Sequence, residues 1–343
     1  MGRDPPSTNR GTFTAPFQAP PSGVEHMRVS IVIPCHNVQE HLPKALDSAL
    51  VQDHPGTEIV CVDDGSTDGT AHVLADRAAR FPEKIRVITQ VNKGASAARN
   101  AGAAATSGDY LQFLDADDVI LPDKISAQLA LARSSGYPGL IVGDFEQVMP
   151  NGLLLPALAL HDQPWMALIQ TRMGTTSANL WKRDALIAAG GWNEHLASSQ
   201  DYELMFRLLR IGTPVVWDAH IRTHVLKRVS GSISQTGVAA NWDRYITLRH
   251  AMKEHLRATD PERFATEIET LRQDIFMALR IMAVDDLPKA QAVHKRSIGP
   301  GFRPQVGRAI TERYVSLYNL LGVATTERLM RLVRGRRPQN ATA

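Results

Sequence analysis

Tyr110-Leu111-Gln112-Phe113-Leu114-Asp115-Ala116-Asp117-Asp118 is a mostly apolar stretch that ends in three carboxylates. Its first five residues predict a buried strand, and the acids follow where that strand would leave the core. Hard cations such as Mg2+ and Mn2+ take oxygen ligands, and one or two protein carboxylates suffice when substrate phosphates complete the shell. Alternatively, Asp117 and Asp118 cap the next helix, because an Asp there accepts bonds from free N–H groups. The stretch alone leaves both interpretations open.

Strands and helices alternate along the chain before this acidic stretch. Residues 29–33, 58–62 and 85–88 are short runs rich in β-branched side chains, and apolar residues at helical spacing separate them. This alternation predicts an α/β fold with a mostly parallel sheet covered by helices. Ligands of such sheets bind in the crevice beyond the carboxyl ends of the strands.

Polar side chains follow three of the predicted strands. Pro34-Cys35-His36-Asn37 follows the first, Asp63-Asp64-Gly65-Ser66 follows the second, and Asp115-Ala116-Asp117-Asp118 follows the fourth. Carboxyl ends of parallel strands meet at one edge of a sheet, so we expect these groups to share one crevice. Acids after two strands are harder to explain as helix caps than acids after one.

An alanine- and glycine-rich helix is predicted between the third strand and the acidic stretch, in Asn92-Lys93-Gly94-Ala95-Ser96-Ala97-Ala98-Arg99-Asn100-Ala101-Gly102. Its small side chains let it approach the sheet closely, and its N-terminus offers free N–H donors to an anion. Arg99 is either a solvated arginine on a packing helix or a partner for a phosphate or base. Its place beside two acidic strand ends favours the second interpretation.

Two later stretches carry further candidates. Gly190-Gly191-Trp192 lies in a region without regular periodicity, and Gln200-Asp201 begins a predicted helix. Asp201 is either a helix-start residue or a site carboxylate. A strand-like stretch after Trp217 carries His224, which is either a structural histidine or a metal ligand.

Composition indicates an ordinary protein of 343 residues with a net charge of +3. Cys35 and Cys61 fall in or beside predicted core strands, so we expect buried thiols rather than a disulfide, and a reducing cytoplasm. Residues 1–27 contain no apolar block and are predicted to be a disordered segment without a signal peptide. No apolar run approaches the ~20 residues that a membrane span needs.

The C-terminal part is predicted to be helical, including residues 242–256 and 261–284. From Leu287 onward there are eleven lysines and arginines against two glutamates, whereas the preceding chain has 27 against 33 acids. Arg328, Arg331 and Arg334 form one stripe of the last helix. They either complement the helix dipole in solvent or contact an anionic membrane from the cytoplasmic side. Nucleic acid is not an expected partner, because no aromatic residues interleave with the charge.

Taken in order, these motifs resemble glycosyltransferase family 2, the inverting nucleotide-sugar transferases with the GT-A fold. The resemblance covers roughly residues 29–234 and includes, besides the strand ends, Ala98-Arg99-Asn100-Ala101-Gly102, Gly190-Gly191-Trp192 and Gln200-Asp201. It implies a GT-A domain at residues 28–238, preceded by the disordered segment and followed by a helical region with a basic tail at residues 239–343.

The resemblance also implies roles for individual residues. Asp64 would bind the nucleobase, usually uracil, beside Pro34. Asn37 and Arg99 would also contact the nucleotide, and Asp115 would approach the ribose.

For the metal and the reaction, the resemblance implies that Asp117 ligates Mn2+ or Mg2+ on the donor diphosphate. Asp115 and His224 would complete the metal site. Asp201 would be the catalytic base, and Trp192 and Gln200 would contact the acceptor.

Two positions depart from the family pattern. Gln200 stands where Glu is usual, and Ser230 stands where the pattern near the end of the domain has His. The predicted function is a metal-dependent inverting glycosyltransferase that uses a nucleotide sugar, expected to be UDP-linked, and a glycan or lipid-linked acceptor in polysaccharide, glycolipid or glycoprotein glycan synthesis. One alternative is an inactive nucleotide-sugar-binding or scaffolding protein. The other is a nucleotidyltransferase, against which stands the absence of a Gly-rich, Lys-bearing loop after the first strand.

Overall fold

The protein is described here by a computed structural model, which covers residues 27–228, 238–307 and 310–334. Strands in these ranges are numbered along the chain and form two sheets. They are β1 Val29–Cys35, β2 Thr57–Asp64, β3 Ile85–Gln90, β4 Tyr110–Phe113, β5 Val119–Ile120, β6 Leu140–Gly143, β7 Phe145–Val148, β8 Leu154–Ala157, β9 Leu180–Lys182, β10 Val215–Asp218 and β11 Thr223–Leu226.

The central sheet has seven strands in the order β10-β6-β9-β4-β1-β2-β3. β1 pairs in parallel with β2 and β4, β2 with β3, and β6 with β10. β9 runs antiparallel to both of its neighbours. The predicted α/β fold with a mostly parallel sheet is therefore confirmed.

Helices flank this sheet and make up most of the described chain after residue 238. They are α1 Leu42–Leu50, α2 Thr70–Arg80, α3 Ala95–Ala104, α4 Lys124–Ser134, α5 Pro164–Ile169, α6 Arg183–Ala188, α7 Gln200–Arg210, α8 Val238–Thr259, α9 Ala265–Asp285, α10 Leu287–Val293 and α11 Glu312–Arg334. A π-helical turn, His294–Ile298, follows α10 directly.

Packing of α3 against the sheet is close, as its small residues predict. A side chain at Gly102 would collide with Val32 of β1 and contact Val62 of β2. Ala98 packs with Val60 and Val62 in the core. This close approach holds α3, and Arg99 with it, at the carboxyl ends of β1, β2 and β4.

Both cysteines are buried free thiols, as expected. The second sheet has the order β5-β11-β7-β8 and lies C-terminal to the acidic stretch. Its edge strand β8 exposes the side chains of Leu154 and Leu155, and Leu153 beside them is exposed too.

The C-terminal helices share a core with the α/β part. Leu248, Met252 and Leu256 of α8 belong to the same buried cluster as Leu204 and Leu208 of α7. A second cluster joins α9, α10 and α11. The two predicted helices at residues 242–256 and 261–284 are confirmed by α8 and α9, while the predicted domain limits remain a prediction.

The last helix is interrupted at Gly322, which has φ 74°. Arg328 is exposed on this helix, and the side chain of Arg334 is outside the description. No helix within the described ranges is both long and apolar enough to cross a bilayer. The predicted disorder of residues 1–27 falls almost wholly outside the described residues, and so does Ser230.

Candidate functional site

A cavity of about 660 Å³ lies at the carboxyl ends of β1, β2 and β4. We call it the donor crevice, after the ligand that the resemblance implies. Pro34 lines it from the end of β1 and Asp64 from the end of β2. Asp115 and Asp117 line it from the loop after β4. The parallel register of these three strands brings the groups together, as the sequence predicts.

Asp64 is a fixed and nearly buried carboxylate. Its Oδ1 accepts hydrogen bonds from Gln90 Nε2 at 2.7 Å and Lys93 N at 2.8 Å, and its Oδ2 accepts one from Gly94 N at 2.8 Å. A carboxylate offers about four acceptor positions, so one remains on Oδ2. Asp64 therefore anchors the loop before α3 and still has a lone pair for a donor in the crevice.

Asn37 serves the loop after β2 rather than the donor crevice. It has φ 51°, and its side-chain oxygen accepts from Thr67 N at 2.8 Å. It lines a smaller neighbouring cavity and is not among the residues that line the donor crevice. The neighbouring His36 donates from Nδ1 to the backbone oxygen of Asp64, 2.9 Å away, so this corner is held by internal bonds.

Arg99 connects the acidic loop to the start of α7. Its Nη2 donates to Asp115 Oδ1 at 2.7 Å, and its Nη1 donates to Gln200 Oε1 at 2.9 Å. The guanidinium also lies over the ring of Trp192, 4.6 Å from the centroid. The helix that opens with Gln200-Asp201 is thus joined through one buried side chain to the loop that carries Asp115.

Trp192 is only 2% exposed and packs against Phe113 and Trp181. A side chain buried this deeply has no surface for an acceptor. The prediction that Trp192 contacts the acceptor is therefore wrong for this conformation, and the residue supports Arg99 instead. Gln200 is half-buried, and its amide is held by Arg99 and by the backbone of Leu196.

Asp117 forms an ion pair with Arg228, whose Nη2 lies 2.7 Å from Asp117 Oδ2. Burial and the negative charge of Asp115 raise the pKa of Asp117, and the Arg228 charge opposes that shift. Arg228 Nε is buried without a partner among the described residues. A cation from the end of the second sheet therefore partly neutralises the acidic loop.

Asp118 is a buried structural group and not a helix cap. Ser177 Oγ donates to its Oδ2 at 2.6 Å, and Leu226 N donates to its Oδ1 at 3.1 Å. α4 begins only at Lys124, so the capping interpretation is wrong. Burial raises the pKa of Asp118 well above its ordinary value, and the charges of Asp115 and Asp117 add to that shift.

Ser177 is a site residue that sequence reasoning missed. Besides donating to Asp118, its Oγ accepts from Asp115 N at 3.0 Å, and the residue is fully buried. It lies about sixty positions along the chain from the acidic stretch, in Thr-Thr-Ser-Ala, which matches no motif. Only the fold reveals that it fixes both ends of the acidic loop.

Asp201 lies in a second cavity, of about 800 Å³. We call it the acceptor groove, after the ligand that the resemblance implies. The groove and the donor crevice share Thr175, Val225 and Lys227 as lining residues. Asp201 Oδ1 accepts from Tyr202 N at 2.9 Å. Burial raises the pKa of Asp201, and the opposing charges of Arg99 and Asp115 also act on it.

His224 lies in β11 with its Nε2 3.5 Å from Glu146 Oε2. It is not among the residues that line the donor crevice, although its successors in the chain are. The structure therefore does not bring His224 together with Asp115 and Asp117.

A divalent cation fits the oxygen groups of the acidic loop. Asp115 and Asp117 supply two hard carboxylates in one crevice, which suits Mg2+ or Mn2+ with phosphate and water as further ligands. No group of three or more His, Cys, Asp or Glu side chains in the described ranges is arranged to hold a metal ion. Substrate oxygens would have to complete the shell.

Residues 30–156 match the family model described as glycosyl transferase family 2. An uncharacterized glycosyltransferase of Nostoc sp. is 40% identical over 115 residues, which is 34% of this chain and 36% of that protein. The chondroitin synthase of Escherichia coli is 29% identical over 190 residues, 54% of this chain and 27% of that protein. The chain thus spans about a third or less of the length of these two curated relatives.

Two solved structures share the fold. A Staphylococcus aureus TarS fragment, residues 1–349, in complex with UDP-GlcNAc has a TM-score of 0.58 and 15% identity, over 90% of this chain and 92% of that one. The mannosyltransferase PcManGT of Pyrobaculum calidifontis, in complex with GDP-Man and Mn2+, has a TM-score of 0.53 and 16% identity, over 94% and 83%. The predicted GT-A fold is confirmed by these likenesses.

Proposed function

We propose that this chain, whose residues 30–156 match the family 2 model, is a glycosyltransferase of that family and transfers a sugar from a nucleotide diphosphate sugar to an acceptor hydroxyl. The observation that carries the proposal is the bridge made by Arg99 between Asp115 and Gln200. It joins the acidic loop of the donor crevice to the helix that presents Asp201 in the acceptor groove. A donor in the crevice and an acceptor in the groove would meet where the two cavities share their lining.

We propose that the nucleobase of the donor binds the carboxylate of Asp64, beside Pro34. Three backbone and side-chain donors hold this carboxylate in place, and one acceptor position on Oδ2 remains. The ring N–H of uracil is a suitable partner, which supports a UDP-linked sugar. A GDP-linked sugar is the competing donor. The fold is shared both with TarS, solved with UDP-GlcNAc, and with PcManGT, solved with GDP-Man.

The diphosphate of the donor would lie against Asp115 and Asp117, which would hold Mn2+ or Mg2+. When bound, that cation supplies Lewis-acid stabilisation of the negative charge on the leaving group. Arg228 must move from Asp117 or share it, and its guanidinium then becomes available to a phosphate oxygen. Ser177 keeps the loop in place by its bonds to Asp118 and Asp115 N.

Asp201 is the proposed general base. Its carboxylate accepts the proton of the acceptor hydroxyl while the oxygen attacks the anomeric carbon from the face opposite the leaving group, which inverts the configuration. Burial raises the pKa of Asp201, and a carboxylate with a raised pKa is a stronger proton acceptor. The hydrogen bond from Tyr202 N to Asp201 Oδ1 holds the carboxylate at the helix start and leaves Oδ2 for the hydroxyl.

The acceptor is proposed to be a glycan or a lipid-linked saccharide, in polysaccharide, glycolipid or glycoprotein glycan synthesis. Peripheral contact of the last helix with an anionic membrane, from the cytoplasmic side, is part of this proposal. It is supported by exposed Arg328 beside exposed Leu329 and Leu332.

A screen of nucleotide sugars by thermal shift, with and without Mn2+, tests the proposal. A ligand that binds only the native state raises the melting temperature, by an amount that corresponds to about 2.7 kcal/mol at a hundred times its dissociation constant. We expect UDP-linked sugars to give the largest shift, and Mn2+ to increase it.

Label transfer from the sugar that gives the largest shift is then measured. A rise in melting temperature without transfer or hydrolysis would favour a non-catalytic binding protein. That alternative is supported by Gln200, which stands where the family usually has Glu. If no nucleotide sugar shifts the melting temperature, the assignment of the donor crevice fails.

A further inference from the structure

A second charged cavity, of about 570 Å³, lies among α8, α9 and the π-helical turn; we call it the basic pocket. His250, Lys253 and Arg257 line it from α8, Arg272 from α9, and Arg296 from the turn. Glu254 is its one acidic lining residue. None of its lining residues lines the donor crevice or the acceptor groove, so the basic pocket is a separate site.

Two of the cations are fixed by internal bonds. Lys253 is 6% exposed, and its Nζ donates to Ser297 O at 2.7 Å and pairs with Glu254 at 2.8 Å. Arg272 donates to the backbone oxygens of Ile298 and Pro300. Arg272 also forms an ion pair with Glu269 at 3.0 Å. These bonds hold the wall of the pocket, and the charges of Lys253 and Arg272 are each paired with a glutamate.

The other two arginines are available to a ligand. Arg257 and Arg296 are exposed at the pocket, and neither forms an ion pair with a described acidic residue. Arginines on a convex surface are ordinarily solvated. Here they face a concavity together with two further cations, and this arrangement raises the local concentration of anions.

His250 adds an unsatisfied polar atom to the same cavity. Its Nδ1 is buried without a hydrogen-bond partner among the described residues. Burial lowers the pKa of His250, and the charges of Lys253 and Arg296 lower it further. The hydrogen bond from Lys253 lowers the pKa of Glu254, and the charges of His250 and Arg257 contribute to that shift. The charge of Glu254 raises the pKa of His250 and so offsets part of this shift, but the net shift is downward. The positive charge around His250 therefore exceeds the negative charge of Glu254.

We infer that the basic pocket binds a phosphate or diphosphate group. Guanidinium groups pair with phosphate oxygens in a two-pronged geometry, and Arg257 and Arg296 are unpaired at the rim. Nδ1 of His250 supplies a further donor from within. The volume exceeds that of one phosphate, which leaves room for the remainder of a phosphorylated ligand. The group is carried either by a soluble molecule or by a lipid headgroup.

The test follows the His250 imidazole resonances by NMR while inorganic pyrophosphate is added to the full chain. Ionic strength is held constant with chloride and EDTA is present, so that no metal-bridged binding in the donor crevice contributes. Comparison with the His250→Gln protein assigns the signal. We expect saturable shifts and a rise in the pKa of His250, because a bound anion offsets the positive field.

Arg257→Gln combined with Arg296→Gln should weaken pyrophosphate binding by roughly a hundredfold, which is about a factor of ten for each lost charge-assisted contact. Arg303→Gln is the matched control, because Arg303 is an exposed arginine of the same region that does not line the pocket. Absence of a His250 shift, or equal binding by the double variant and the control, overturns the inference.

Co-sedimentation with vesicles distinguishes the two sources of phosphate. Phosphatidylcholine vesicles with phosphatidic acid are compared with vesicles of equal charge that contain phosphatidylserine. A preference for phosphatidic acid that the double variant loses identifies a lipid headgroup. Binding of free pyrophosphate in the pocket without this preference identifies a soluble ligand.

Discussion

The donor crevice and the basic pocket treat charge in opposite ways. In the crevice, each acid is matched from within the protein: Arg99 pairs with Asp115, Arg228 pairs with Asp117, and Ser177 and Leu226 N donate to Asp118. In the basic pocket, Arg257 and Arg296 form no ion pair among the described residues, although Glu254 is part of the lining. A built-in counter-charge holds the crevice in a defined shape before ligands arrive, whereas the pocket keeps its charge for a ligand.

The largest expected effect comes from removing the carboxylate that we propose as the general base. Asp201→Asn should lower transfer by about a thousandfold, because the amide cannot accept the acceptor's proton. Nucleotide-sugar binding, measured by thermal shift, should remain close to that of the unaltered chain. Full transfer activity in this variant would remove Asp201 from the mechanism.

The pH dependence of transfer sharpens the same assignment. Asp201 must be ionised to act as the base, and burial raises its pKa, so transfer should fall on acidification at a pH above the ordinary range of aspartate. The measurement is the transfer rate at saturating donor and acceptor from pH 4 to 8, with the melting temperature followed in parallel. An acid limb at the ordinary aspartate pKa would contradict the assigned environment.

Breaking the internal pairing of the crevice should cost both stability and activity. Arg99→Met keeps most of the side-chain volume but leaves Asp115 unpaired and Gln200 without its donor. We expect a loss of about 2 kcal/mol in the free energy of unfolding, discounted because Asp115 is a third exposed, and a lower transfer rate. Denaturant unfolding measures the first, and the labelled-transfer assay measures the second.

The matched change in the basic pocket, Arg257→Gln, removes a cation that has no internal partner. Its free energy of unfolding should differ little from that of the unaltered chain. Equal losses in the two variants would contradict the contrast between the two regions.

A smaller effect is expected from Ser177→Ala. The substitution leaves the buried carboxylate of Asp118 without its 2.6 Å donor and Asp115 N without its acceptor. The expected cost is about 1 to 2 kcal/mol in the free energy of unfolding. The KM for the nucleotide sugar should rise more than kcat falls, because the acidic loop loses its position rather than its charge. Rescue by Ser177→Thr would support a positioning role.

A further effect, visible only as a change with pH, concerns a buried amino group whose hydrogen bonds go to neutral side chains. Lys124 Nζ donates to Gln112 and Gln128, and burial lowers the pKa of Lys124 to about 7. Between that value and its ordinary pKa the unfolded chain binds more protons, so stability should rise with pH, by at most about 1.4 kcal/mol per pH unit. Lys124→Met should flatten that slope between pH 7 and 10, as measured by denaturant unfolding.

Local patterns in the sequence were enough to predict the parallel sheet and the convergence of three strand ends. Alternation and β-branched runs report burial directly, and Gly102 in an alanine-rich helix reported the close approach of α3. They were not enough for Asp118, because its partners Ser177 and Leu226 are far away in the chain and carry no motif. Trp192 was misassigned for the same reason: the Gly-Gly-Trp pattern does not reveal that the indole is buried under Arg99.

Charge composition gave a partial prediction of the C-terminal region. The excess of lysines and arginines from Leu287 onward predicted a basic surface, but it assigned that surface to the last helix. The basic pocket combines one charged residue of that segment, Arg296, with charged residues of α8 and α9 that belong to no motif. Only the packing of the helices brings them to one cavity.

Gly102 has a consequence for any survey of mutational tolerance. It carries no functional group, yet even a methyl at this position would collide with Val32 and push α3, with Arg99, off the strand ends. A deep mutational scan scored on transfer should therefore rank position 102 among the least tolerant, beside Asp201. Intolerance at position 102 would reflect the short distance between α3 and the central sheet, and not a role in catalysis.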